Sequence, residues 1–170
     1  RMRGEGPYAD LIARRFAGLK TAWGKKNLAI AIAQRGIKEG VDPLLGQLAR
    51  TPEKTADGKE DKDNKDARLA IWSALARLGS PADLPSFLDK IQGASPEELH
   101  AIESALVNAV RGEKNAAAGS ADILNALRAN SGSDDEQAAL LRALCRIGNQ
   151  KTLPDILKSL KSPSTKLRYA

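Results

Sequence analysis

A chain of 170 residues holds one domain and leaves little room for a second. Hydrophobic residues make up 42% and charged residues 28%, which excludes a disordered or collagen-like chain; the lone Cys145 and lone His100 exclude a disulfide framework and a Cys/His zinc cage. The net charge is +6, with the excess at the two ends (residues 1–50 and 131–170) and no block of one sign, so the pattern is a mixed solvated surface rather than a nucleic-acid stripe.

Aromatics are only 4%, so the core must be aliphatic, which favours helices over a sandwich. The longest apolar run, Leu28 to Ala33, falls far short of the roughly 18 residues a membrane span needs. The chain opens on Arg1 without an apolar signal core, which reads as a fragment of something longer.

In chain order, Ala9 to Leu19 is amphipathic, with Leu11, Ile12, Phe16 and Leu19 on one side. Trp23 is expected between the first two helices. A helical block follows at Asn27–Ile32, then Gly36, Pro43 and the aliphatics Leu44, Leu45 and Leu48. Residues 51–65 hold almost nothing apolar and read as a mobile charged loop joining two helices.

Asp66 is a plausible cap for the next helix, whose block is Ala70-Ile71-Trp72-Ser73-Ala74-Leu75. Gly79 is placed for a left-handed C-cap, and Pro85 falls where a new helix can begin. Ser95-Pro96-Glu97-Glu98 is a capping box ahead of the block Ala101-Ile102-Glu103-Ser104-Ala105-Leu106. An Ala/Gly/Ser loop from Gly112 to Gly119 leads to Ile123, Leu124 and Leu127. Asp134 or Asp135 caps the last long helix, with block Ala139-Leu140-Leu141-Arg142-Ala143-Leu144, then Gly148 and Pro154.

The blocks are copies of one another. Those at Ala70 and Ala101 share five of six residues at an offset of 31, the third follows at a further 38, and Asn27 opens a weaker copy 43 residues upstream. Each places a large aliphatic, a small Ala three later and another aliphatic four later, which is one narrow apolar stripe on a helix. Ile71, Ile102 and Leu140 set the phase of the seam. The unit is therefore helix, turn, helix in about four copies, and Leu167 and Tyr169 would need a following helix to cover them.

This alternation resembles HEAT repeats, relatives of the armadillo class, over roughly residues 9–170. Asp66, Arg68, Ala70, Ala74, Leu75 and Gly79 match the family pattern, and Leu167, Arg168 and Ala170 begin another match. Leu106, Leu144 and Gly148 occupy corresponding positions. The third copy lacks both Asp and Arg, and Gln137 replaces Arg in the fourth. The resemblance implies a single all-α domain, a right-handed α-α superhelix of about four helix pairs. It also implies that Arg68 and Arg168 hydrogen-bond along the stack, and that second helices line a concave face.

Trp72, flanked by Arg77, stands on that face as a candidate exposed anchor for a protein partner, with Arg142 and Arg146 as further partner-binding candidates. The alternative for Trp72 is burial beneath the 51–65 loop. Arg35, Arg77, Arg111 and Arg146 recur near helix C-termini, where cations complement the helix dipole. Cys145 reads as a partly buried structural thiol, and His100 as a surface histidine near Glu97 or Glu103. Asp61 and Asp63 have calcium-like spacing, but the interleaved Lys59, Lys62 and Lys65 count against a metal.

No acid/base constellation, phosphate loop or cofactor motif is visible. The expected function is therefore a non-catalytic, monomeric protein-interaction scaffold within a larger chain. Two alternatives stand beside it. One is polyanion or nucleic-acid binding through Lys25, Lys26, Arg35, Lys158, Lys161 and Lys166; the other is a structural arm of a larger bacterial multidomain enzyme.

Overall fold

The repeated Ala/Leu blocks fold as helices, which pack in pairs, Ala22–Arg35 with Lys62–Leu78 and Pro96–Arg111 with Asp134–Ile147. A computed structural model describes residues 8–55, 57–111, 116–129 and 132–170. Their regular structure is helical, with a single isolated antiparallel bridge, Lys54 to Glu60, among the described residues. They fall into two compact units, divided after Leu78.

The first unit contains α1 (Tyr8–Gly18), α2 (Ala22–Arg35), α3 (Val41–Ala49) and α4 (Lys62–Leu78). Helices α2 and α4 lie along each other, α3 packs on α4, and α1 packs on α3. The second contains α5 (Leu84–Leu88), α6 (Pro96–Arg111), α7 (Ala116–Ala129), α8 (Asp134–Ile147), α9 (Leu153–Ser159) and α10 (Thr165–Arg168). Here α6 lies along α8, α7 closes over both, α5 meets α6 and α7, and α9 and α10 rest on α8. Each unit is thus a two-layer assembly of helix pairs, as a helix with one apolar stripe requires.

The apolar stripe of each block is buried as the spacing demands. Ile71, Ala74 and Leu75, then Ile102, Ala105 and Leu106, then Leu140, Ala143 and Leu144 are all inaccessible to solvent. Each large aliphatic contributes about 1.5–3 kcal/mol relative to exposure. The first copy is rotated: Ala29, Ile32 and Ala33 are buried while Leu28 and Ala31 are half-buried.

The turns repeat as well. Gly36 ends α2 with φ 66° and bonds the carbonyls of Ala33 and Ile32; Gly148 ends α8 with φ 73° and bonds that of Leu144. A single 3-10 turn then leads into α3, α5 and α9. Gly79 departs from the expected left-handed cap, because the chain turns through Ser80 instead. The Ser80 N–H and hydroxyl both donate to Asp83 Oδ2 at 2.8 Å, closing the turn without a positive φ.

Several boundaries move. Helix α4 starts at Lys62, so Asp66 lies one turn inside it and Asp61 does the capping, its Oδ1 accepting from Asn64 N at 3.0 Å. Ser133, not Asp134 or Asp135, caps α8, while Ser95 caps α6 as the capping box predicts. Ala116–Ser120 is helical rather than loop, in keeping with the helix propensity of its alanines, whereas the start of that expected loop, 112–115, lies outside the described residues. Gly119 lets α7 approach α6 closely: a Cβ there would sit 2.8 Å from Val110 Cγ2. Residues 52–61 join α3 to α4, with Thr51 buried at their start.

Candidate functional site

Three candidate surfaces follow from the helix faces, and the structure rearranges their roles. The first concerns Trp72, expected as an exposed anchor. It is 1% exposed, within the core of the first unit, and a side chain without accessible surface cannot anchor a partner. The corresponding residues in the other copies, Ala29, Glu103 and Leu141, are buried too. The residue type at this position varies between copies while its burial does not. Trp23, expected between the first two helices, is instead 76% exposed, and Leu11 also faces solvent.

The second surface lies where α6 and α8 pack together. Glu103 on α6 is buried, yet both its oxygens are satisfied: Arg142 Nε donates to Oε2 at 2.9 Å and Arg146 Nη1 to Oε1 at 3.0 Å. One turn apart on α8, the two guanidinium groups converge on a single carboxylate from residues 39 and 43 positions away in sequence. His100 Nδ1 lies 3.8 Å from the same carboxylate, with the imidazole largely in solvent. Arg142 and Arg146 are therefore engaged in holding α8 to α6. Cys145 beside them is exposed rather than partly buried, and residual desolvation pushes its thiol pKa up, away from thiolate chemistry at neutral pH. Arg77, at the end of α4, is exposed.

A corresponding polar knot lies in the first unit. Lys25 Nζ reaches Arg50 O and Thr51 Oγ1 at 3.2 and 3.1 Å, and Arg68 Nη1 reaches Leu48 O and Thr51 O at 2.6 and 2.7 Å. Two cations thus cap the carbonyl end of α3, where the helix dipole favours positive charge. Arg68 binds the preceding helix as the resemblance implied, whereas Arg168 bonds locally, to Ser162 O and Pro163 O.

Of the six basic residues considered for a polyanion, Lys25 is buried in this knot, Lys26 pairs with Asp66, and Lys166 pairs with Asp135. Arg35, Lys158 and Lys161 face solvent.

The third surface was not singled out by sequence. On α9 and its C-cap, Leu153, Leu157 and Leu160 are 49%, 50% and 54% exposed. Their i, i+4, i+7 spacing makes one apolar row, the same signal that marks a core face, so sequence could not separate the two. The opposite side of α9 is fixed by Asp155, which accepts from Arg128 Nε and Nη2 at 3.1 and 2.9 Å. That bidentate hydrogen bonding holds the Asp155 carboxyl below the usual carboxylate range. Lys158 and Lys161 flank the leucines, and Tyr169 is exposed beyond them.

Among the described residues, no group of His, Cys, Asp or Glu is placed to hold a metal, and no helix is long and apolar enough to cross a membrane. No known protein-family model matches the chain, and no curated protein matches it.

Proposed function

We propose that this chain is a HEAT-like solenoid module serving as a non-catalytic protein-interaction scaffold, with α9 as its docking element. The observation that carries this reading is the leucine row of α9 and its C-cap, exposed while Leu75 and Leu78 of α4 and the leucines of α6 and α8 are buried. A row of that spacing fits the apolar stripe of a partner helix. The lysines beside it favour an acidic partner, so the occupant is an amphipathic helix carrying Glu or Asp along the margins of its leucines. The α6/α8 face, whose arginines are occupied by Glu103, serves this reading as support rather than as contact.

The test is a fluorescence-anisotropy titration with two designed amphipathic peptides of equal leucine content, one acidic and one basic at the margins. The acidic peptide should bind, more weakly at raised salt, and should lose binding to a Leu157→Asp/Leu160→Asp variant. Equal binding of both peptides, or unchanged binding to the variant, overturns the proposal. So does sedimentation showing that the row is covered by a second copy of the chain.

A further inference from the structure

A second feature of the C-terminal unit points to a small-ligand site separate from α9. A cavity of about 400 Å³ opens between the turn after α5, the end of α7 and the start of α8. Leu88, Ile91, Ala126 and Leu140 give it apolar walls, and Asp89 and Glu136 supply its acidic groups. That size lies in the range of small-molecule pockets, and apolar walls with a few polar groups are their usual lining.

Glu136 is the informative residue. It is 6% exposed, and its Oε1 accepts from Gly93 N at 3.1 Å. Its other oxygen, Oε2, is buried and has no hydrogen-bond partner among the described residues. Buried carboxylate oxygens are ordinarily satisfied, as both oxygens of Glu103 are. The position of Glu136 in the first turn of α8 favours its charge through the helix dipole but provides no donor for Oε2. The missing partner is therefore a donor, and beside a second carboxylate a cationic donor is favoured.

We infer that this cavity binds an aliphatic primary ammonium, its chain along Leu88, Ile91 and Leu140 and its –NH₃⁺ on the Glu136 carboxylate, whose buried Oε2 turns toward the cavity to receive it. A free alkylamine and a lysyl side chain present the same chemistry, and the experiment separates them. A guanidinium is a poorer fit, since its planar fork needs two acceptor oxygens in one plane and Gly93 already occupies Oε1.

The experiment follows amide and methyl NMR shifts of the whole chain at pH 7 during titration with n-butylammonium, n-butanol and Nα-acetyl-lysine N-methylamide. Butylammonium should shift Glu136, Gly93 and Leu140, and butanol should bind at least about tenfold more weakly, the value of a hydrogen bond to a charged group. Glu136→Gln retains an acceptor for Gly93 N–H, so it should fold and lose about tenfold in affinity for the amine. Ala126→Leu fills the cavity from α7 and should abolish binding with Glu136 intact. If the lysine amide binds as well as butylammonium, a lysyl side chain is the ligand; if only butylammonium binds, a free amine is. Equal binding of butanol, undiminished binding to either variant, or no shift with either amine overturns the inference.

Discussion

Two rows of side chains, the matching repeat positions of α2, α4, α6 and α8 and the leucines of α9 and its C-cap, reverse the usual association of residue type with burial. Ala29, Trp72, Glu103 and Leu141 share little chemistry, yet every one is buried. Leu153, Leu157 and Leu160 are identical leucines, and each is about half exposed. Burial is set by whether a neighbouring helix lies alongside, not by the residue. The variable row pays for its variety locally: Glu103 carries a charge into the interior only because two arginines meet it.

The largest effect that would break this comparison comes from the first row. Trp72→Ala should cost about 3–5 kcal/mol of stability through the cavity left behind, read as a fall in the denaturant midpoint. A change below about 0.5 kcal/mol, the range of surface substitutions, would move Trp72 to the surface and return it to the anchor role.

Next in size is the Glu103 clamp. Removing both cations in Arg142→Ala/Arg146→Ala strands a buried carboxylate. The expected loss is about 1–3 kcal/mol, below the value for a fully buried pair because both arginines are partly solvated. Adding Glu103→Leu to that double variant should restore much of the loss, and a triple variant no more stable than the double would refute the clamp.

Smaller still are the effects on the α9 row. Leu157→Asp/Leu160→Asp should change stability by less than about 1 kcal/mol, since each side chain is already about half in water. A loss resembling that of Trp72→Ala would mean that α9 is part of the core.

The pH response of α9 is the most delicate. Hydrogen bonds from Arg128 depress the Asp155 pKa in the folded state, so their contribution is complete above the ordinary carboxylate value, near pH 4, and is lost as pH falls through the depressed one. Amide exchange in α9 should therefore rise relative to α8 below about pH 4, and Arg128→Ala should remove that pH dependence. Parallel changes in both helices would place the pair outside the docking of α9.

How much of this was legible follows from the same contrast. The repeat spacing marks Ile71, Ile102 and Leu140 as buried, because the period reports the face that each helix turns to its neighbour. It misplaces Trp72, because variation between copies suggests exposure, and residue type misplaces Trp23, because a large aromatic suggests the interior. The roles of Arg142 and Arg146 depend on a glutamate 39 and 43 residues away, a distance at which sequence carries no pairing signal without the packing of α6 on α8. In sequence Lys25 is one basic residue among several, because nothing in its own helix marks Arg50 O and Thr51 Oγ1 as its partners. The orphan oxygen of Glu136 has no sequence counterpart at all, since an absent partner is visible only in three dimensions.

Leucine-methyl NMR during titration with the acidic amphipathic peptide bears most directly on the proposal that α9 is where a partner docks. The methyl signals of Leu153, Leu157 and Leu160 should shift while those of Leu75, Leu106 and Leu144 stay fixed. Shifts confined to the α6/α8 face around His100, or none at saturating peptide, would contradict it.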